Sequence, residues 1–269
     1  MKNKRANSHL DFLFESKNLL KSKRSQVTIF IVIALIIVVA IVLIFIVWRK
    51  PVTPVSPTTN PEAYIEKCIK DYTEESISIL SEQGGDINPE GSVMHKGKNI
   101  TYLCYNANFY KPCINQRPLL IEHIEEQITN YIEPKMQECF SSLRTELEKR
   151  GYAVELDEMN ITTKLQTKKV IATIDRKLLI TKQDTRKFEQ FKAQVSWPLY
   201  DLAKIAMEIA NQEARYCNFD ILGFMIIYPE YNIEKFRTGN SDTIYTLKDI
   251  PTGKEFTFAI RSCVMPAGL

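Results

Sequence analysis

Residues that usually mark chemistry are scarce in this chain. Its 269 residues hold three histidines, two tryptophans and nine glycines. No Gly-x-Ser-x-Gly, Ser-x-x-Lys, His-Glu-x-x-His, Gly-x-Gly-x-x-Gly, P-loop or Asp-x-Asp pattern occurs. The common hydrolase, zincin, dinucleotide and phosphate-binding signatures are therefore missing. With His9 near the N terminus, a histidine triad or zinc site would have to draw on His95 and His123 alone. His95 falls in a turn and reads as exposed. His123 lies beside a helical stripe and reads as solvent-facing. Glu122, Glu125 and Glu126 share a helix face, and Glu155 and Asp157 lie close in sequence. Such groups serve acid–base chemistry or a metal only when buried, and a solvated face is the simpler reading. No catalytic, cofactor-binding or metal-ligating residue is assigned, and the expectation is a protein without enzymatic activity.

Polar residues are also nearly absent from Val27–Trp48, where Thr28 carries the sole hydroxyl. This run of 22 residues makes roughly 33 Å of helix, the thickness of a bilayer's hydrocarbon. A cleaved secretory signal has a shorter apolar region and a small-residue cleavage site after it. Lys2, Lys4, Arg5, Lys17, Lys21, Lys23 and Arg24 precede the run, whereas after Arg49 and Lys50 no basic residue occurs before Lys67. The positive-inside rule then predicts a cytoplasmic N terminus. The expected plan is a basic tail over 1–26, a transmembrane helix over 27–48, a Pro-rich stalk over 49–61 and an extracytoplasmic domain over 62–269. His9–Leu20 is a short amphipathic stretch suited to the inner leaflet. Nine of the 35 basic residues lie in 1–50 against Asp11 and Glu15, which leaves 26 basic and 30 acidic residues beyond. A mildly acidic ectodomain is a poor partner for nucleic acid, so the expected partners are membrane lipid and surface protein or glycan.

All six cysteines, Cys68, Cys104, Cys113, Cys139, Cys217 and Cys263, follow the apolar run. An even count on the exported side predicts disulfides. Cys68 and Cys139 lie on apolar helix faces, Cys104 and Cys113 are close in sequence, and Cys217 and Cys263 remain for each other.

The exported part reads as α+β, with helices packed on antiparallel sheet. A first helix runs from Glu62 to Gly84-Gly85. Ser92–Tyr110 alternates around a hairpin turn at His95-Lys96-Gly97-Lys98. Leu120, Ile124, Ile128, Ile132, Met136, Phe140, Leu143 and Leu147 form one helical stripe, which Pro134 is expected to kink or split. Strands are predicted over Tyr152–Leu165, Lys169–Thr181 and Lys187–Trp197. A third helix, capped by Ser196, carries Leu199, Leu202, Ile205, Ile209 and Tyr216 on its stripe. Strands follow to the end. The aromatics Tyr102, Tyr105, Phe109 and Tyr110, then Phe224, Tyr228 and Tyr231, read as packing residues, or as a contact face where they reach the surface.

Lys23-Arg24-Ser25-Gln26-Val27-Thr28-Ile29-Phe30 resembles the class III, type IV pilin-like signal peptides of archaea. The resemblance implies cleavage between Ser25 and Gln26 and membership of a pilus-like or secretion assembly, as a homo-oligomer or filament. Phe30 stands where filament-forming members carry Glu, and Pro51 ends the helix where theirs continue. Together with Tyr64-Ile65-Glu66-Lys67-Cys68-Ile69 and Gln83-Gly84-Gly85, the chain is similar to uncharacterised surface proteins of small-genome (DPANN-type) archaea. That similarity implies an envelope location. Asn99-Ile100-Thr101 and Asn160-Ile161-Thr162 are N-glycosylation triplets on the same side. Three roles remain open: surface display for adhesion or cell contact, a pilin-like component, and an anchored enzyme without a recognisable motif.

Overall fold

A computed structural model of the chain describes residues 30–41 and 59–265. The chain divides into two compact units, Met1–Pro54 and Val55–Leu269. In the first, residues 30–41 form helix α1, with its apolar side chains exposed. Among the described residues, no helix is long and apolar enough to cross a membrane. Helix α1 is the middle of the span expected at 27–48. The rest of that span, the tail with Ser25 and Gln26, and 49–58 lie outside the described residues.

The second unit opens with α2 (Pro61–Glu82), where Pro61 supplies the preset first turn and Asn60 Oδ1 accepts the Ala63 N–H at 3.1 Å. Ile65, Ile69, Ile77 and Leu80 form its buried face. Gly84 and Gly85, at φ +76° and +95°, end it, and Gly85 N returns a 2.8 Å bond to Leu80 O. A Cβ on Gly85 would meet Ile124 and Leu120 of the next helix at 3.1 and 3.2 Å. Glycine is therefore required there both by conformation and by contact.

That helix, α3 (Leu120–Lys149), buries all eight residues of the predicted stripe. Each such side chain contributes about 1.5–3 kcal/mol of hydrophobic stabilisation. Pro134 stays inside one continuous helix, so of the kink or split expected there the split does not occur. Its ring sits on the exposed face, while Ile132 and Met136 on either side hold the helix to the core.

Two sheets form. In the first, β1 (Ser92–His95) and β2 (Lys98–Tyr105) make a hairpin whose turn residues Lys96 and Gly97 both have positive φ, the geometry that a two-residue hairpin loop demands. The order continues β1-β2-β10-β9-β8, with short β3 (Ile114–Asn115) also on β2. Here β8 is Tyr231–Arg237, β9 Thr243–Asp249 and β10 Glu255–Arg261. The β2–β10 pair is parallel, so the sheet is mixed where an antiparallel one was expected. Periodicity reveals which face of a strand is buried but not the direction of a partner far along the chain. The second sheet pairs β6 (Lys169–Thr181) with β7 (Thr185–Val195) and also with β4 (Ala153–Leu156) and β5 (Asn160–Gln166). Residues 157–159 interrupt the strand expected over 152–165, so β4 and β5 pair separately with β6.

Helix α4 (Leu199–Tyr216) begins at Pro198 without a side-chain cap. Ser196 is exposed and does not fill that role. Asp201, in the first turn, instead accepts the Lys168 N–H of the β5–β6 turn at 2.9 Å. Tyr216 is exposed rather than part of the buried stripe. A further short helix, α5 (Ile221–Ile227), capped by Asp220 onto Gly223 N at 3.0 Å, stands where only strand was expected. One main core lies among α2, α3, α4 and both sheets. A second, small cluster of Ile100, Ile244 and Ala259 lies under Val93 and Tyr102.

Disulfides join Cys68 to Cys139, Cys104 to Cys113 and Cys217 to Cys263, with Cα separations of 6.7, 5.3 and 5.7 Å. These are the three pairs that sequence placement suggests.

Candidate functional site: a tyrosine and arginine pocket at a strand bulge

The ladder between β2 and β10 carries one register shift. Tyr102 pairs with Ala259 and Cys104 with Ile260, so Leu103 is an extra residue in the ladder. Leu103 and Cys104 both turn into the core. A bulge of this kind flips the sense of every later side chain, and Tyr105 returns to the face of Tyr102. The two rings lie 4.9 Å apart at 57°. Leu103's carbonyl accepts Gln116 N at 2.8 Å, which draws the segment before α3 against the bulge.

A pocket of about 630 Å³ opens beside these rings. Arg261, next to Tyr105 across the parallel pair, donates through Nη1 to Asn240 O at 2.9 Å and Asp242 Oδ1 at 3.3 Å. Arg117 donates through Nη1 to Gln116 O at 3.2 Å and through Nη2 to Asp86 Oδ2 at 3.4 Å. Its Nε is buried with no acceptor. Glu90 and Gln116 complete the polar rim. Burial, and then the Asp242 carboxylate beside it, push the Tyr102 phenol well above its ordinary pKa, so Tyr102 is a neutral hydroxyl at any physiological pH.

Behind Arg117 lies Asp86, in the loop that follows Gly84-Gly85. It accepts Thr101 Oγ1 at 2.7 Å and is bonded to His123 Nε2. Burial alone would raise its pKa. The bonds from His123 and Thr101, with the charges of His123 and Arg117, outweigh burial and hold the carboxyl below its ordinary value. His123 is therefore a partner of a buried carboxylate, which corrects its reading as a free surface histidine. Thr101 is 1 % exposed and donates to the carboxylate rather than to the imidazole, so the trio does not form a nucleophile–base relay.

No protein-family model, curated protein or solved structure matches this chain.

The other sequence candidates are scattered. Glu125 is not solvated: it accepts Leu165 N and Lys164 Nζ, each at 2.8 Å, and pins β5 to α3. Glu122, Glu126, Glu155 and Asp157 are exposed. His95 is half-buried, with its ring 5.0 Å from that of Phe236. It lines a second, polar cleft of about 710 Å³ between α2, the β1–β2 hairpin and β8–β10. Among the described residues, no group of three or more His, Cys, Asp or Glu could hold a metal. Tyr105, Phe109, Tyr110 and Tyr228 reach the surface, while Tyr102, Phe224 and Tyr231 are half-buried. Asn99 and Asn160 are both exposed. Thr162 is exposed as well, whereas Thr101 is buried.

Sequence reasoning missed Asp86, Arg117, Asp242 and Arg261. It also missed Glu213, whose carboxylate is bonded to Tyr245 Oη and accepts Lys235 Nζ at 3.1 Å. For Glu213 a signal existed: it lies at helical spacing on the stripe of Leu202, Ala206 and Ile209, where a carboxylate must find buried donors. Nothing local in the sequence marks the others.

Proposed function

We propose that this chain is a membrane-anchored envelope protein, with its N terminus inside the cell and its α+β unit outside, where it serves contact or adhesion without catalysis. The observation that carries the reading is the state of the thiols. All six cysteines are paired, and among the described residues none is free. Protein disulfides persist in oxidising compartments and are reduced in the cytosol. The basic flank, the apolar run and the proline-rich stretch supply the anchor, and the resemblance to archaeal surface proteins supports the same location. The pocket beside Tyr105 gives the displayed unit a concave, mixed aromatic and polar face for a surface protein or glycan.

Protease added to intact cells is expected to remove the unit containing residues 59–265 and leave an N-terminal fragment in the membrane fraction. Full protection until the cells are lysed would sink the reading. The Lys23–Phe30 segment favours a second role, as a pilin-like subunit or accessory part of a filament or secretion assembly. Sequencing of the mature N terminus separates the two: a chain that starts at Gln26 supports the pilin-like role, and an intact leader supports simple anchoring.

A further inference from the structure

We propose that the pocket beside Tyr102 and Tyr105 is a binding site for a neutral saccharide. The site combines what a sugar ring requires. Pyranose rings have an apolar face of C–H groups that packs on aromatic rings, and an edge of hydroxyls that pairs with planar polar side chains. Tyr105, 37 % exposed, offers such a face, held beside Tyr102 by the bulge at Leu103. Around it lie Arg117, Arg261, Gln116 and Asn240, with Asp242 and Glu90.

The donors are not used up within the protein. Arg261 donates only through Nη1 among the described hydrogen bonds. Arg117 is engaged through both terminal nitrogens, with its Nε buried behind them, so it shapes the wall while Arg261 supplies the open donors. The Arg261 guanidinium is anchored at Nη1, so little side-chain entropy is lost when its remaining nitrogens bond a ligand.

The charge balance selects the ligand's class. Arg117 faces Asp86, Arg261 faces Asp242, and Glu90 adds a carboxylate at the rim. Paired guanidiniums beside an extra negative charge give no attraction for an anion, so a sulfated or carboxylated sugar gains nothing over a neutral one. A hydroxyl-rich neutral ring can both accept from Arg261 and donate to the exposed Glu90. The volume, about 630 Å³, accommodates a short oligosaccharide rather than a folded protein surface.

The site deepens the contact role proposed above, which supplies the place where a saccharide would be met. The test uses the full chain, purified in a detergent without a sugar headgroup and titrated calorimetrically with mannotriose, chitotriose, maltotriose and, as the anionic comparison, glucuronic acid. At least one neutral probe is expected to bind in the millimolar range or tighter. Tyr105→Ala should weaken that binding about tenfold, a loss of roughly 1.4 kcal/mol, and Tyr105→Phe should leave it almost unchanged. Asn240→Ala, in an exposed turn, should weaken it severalfold while leaving the melting temperature unchanged. Binding by none of the neutral probes, binding indifferent to Tyr105→Ala, or tighter binding of glucuronic acid would each overturn the proposal. Because the titration is blind to cellular location, a chain that binds sugar yet is protected from protease on intact cells would remove the display role and leave the site standing.

Discussion

Asp86 and Glu213 are buried to nearly the same depth, with side chains 4 % and 5 % exposed, yet they are held by different kinds of partner. Asp86 sits in a loop and gathers donors from β2, α3 and the segment before α3. Two of them, His123 and Arg117, are 24 % and 28 % exposed, so water solvates their outer edges. Glu213 sits on the buried stripe of α4 and is bonded to the hydroxyl of Tyr245, which is wholly buried. Lys235 is its one partner that reaches outward. The backbone of Glu213 is committed too: its carbonyl accepts Ser262 Oγ at 3.0 Å and Cys217 N at 3.1 Å, and Ser262 Oγ accepts Cys113 N at 3.1 Å. Glu213 thus fastens α4 to β8, to β9 and to Ser262 just beyond β10, and to residues of two disulfides. Asp86 joins one helix and the segment before it to a strand and leaves a partly exposed rim at Arg117, which becomes one wall of the pocket. The same carboxylate chemistry makes a seal in one place and a binding edge in the other.

The sharpest way to break this contrast is Glu213→Ala, which strands a buried tyrosine hydroxyl and an ammonium. A loss of about 3–5 kcal/mol in urea unfolding is expected, and a loss comparable to that of any surface substitution would show that the network is not a seal. Next come the neighbouring disulfides. Loop-closure entropy assigns about 4 kcal/mol to Cys217–Cys263 and about 2.6 kcal/mol to Cys104–Cys113, from sequence separations of 46 and 9. Paired Cys→Ser variants should therefore rank in that order by denaturant midpoint. Asp86→Asn should cost less than Glu213→Ala, about 2 kcal/mol, because His123 and Arg117 can turn to water. It should also weaken ligand binding at the pocket through a loosened Arg117. Tyr245→Phe removes one charge-assisted bond, about 1.5 kcal/mol.

The smallest effects are those of pH, and they run in opposite directions. The folded pKa of Asp86 is depressed, so its share of stability is complete above about pH 4, the unfolded value. That share is lost as pH falls through the lower folded value. Burial, and then the bond and charge of Glu213, raise the Tyr245 phenol. Its share is complete below about pH 10 and is lost as pH rises beyond it. Melting curves across pH should show the acid limb flattened in Asp86→Asn and the alkaline limb flattened in Tyr245→Phe.

Much of the fold could be read in advance, because its signals are local. The α3 stripe repeats at helical spacing over eight residues, the His95–Lys98 turn has the glycine that its positive φ requires, and cysteines on facing helices have few other partners. The misses have non-local causes. Pro134 would break an isolated helix, but packing on either side keeps α3 whole. The parallel pairing of β2 with β10 depends on a strand more than a hundred residues away. Helix α5 is apolar and short, and periodicity cannot separate such a run from a strand. The pocket itself owes its existence to an unmatched residue at Leu103, which is visible only once β10 is laid alongside. Nothing next to Asp86 in the sequence marks it, because its donors arrive from three separate segments.

Because Thr101 gives its hydroxyl to Asp86 within the core, Asn99 has a deadline. A transferase that reads the triplet must grip that hydroxyl, and after β2 joins the sheet it is out of reach. Asn160 and Thr162 stay open on β5, which pairs along one side with β6. Sugar attached at Asn99 would therefore record an encounter with the nascent chain, whereas sugar at Asn160 could be added at any point in the protein's life.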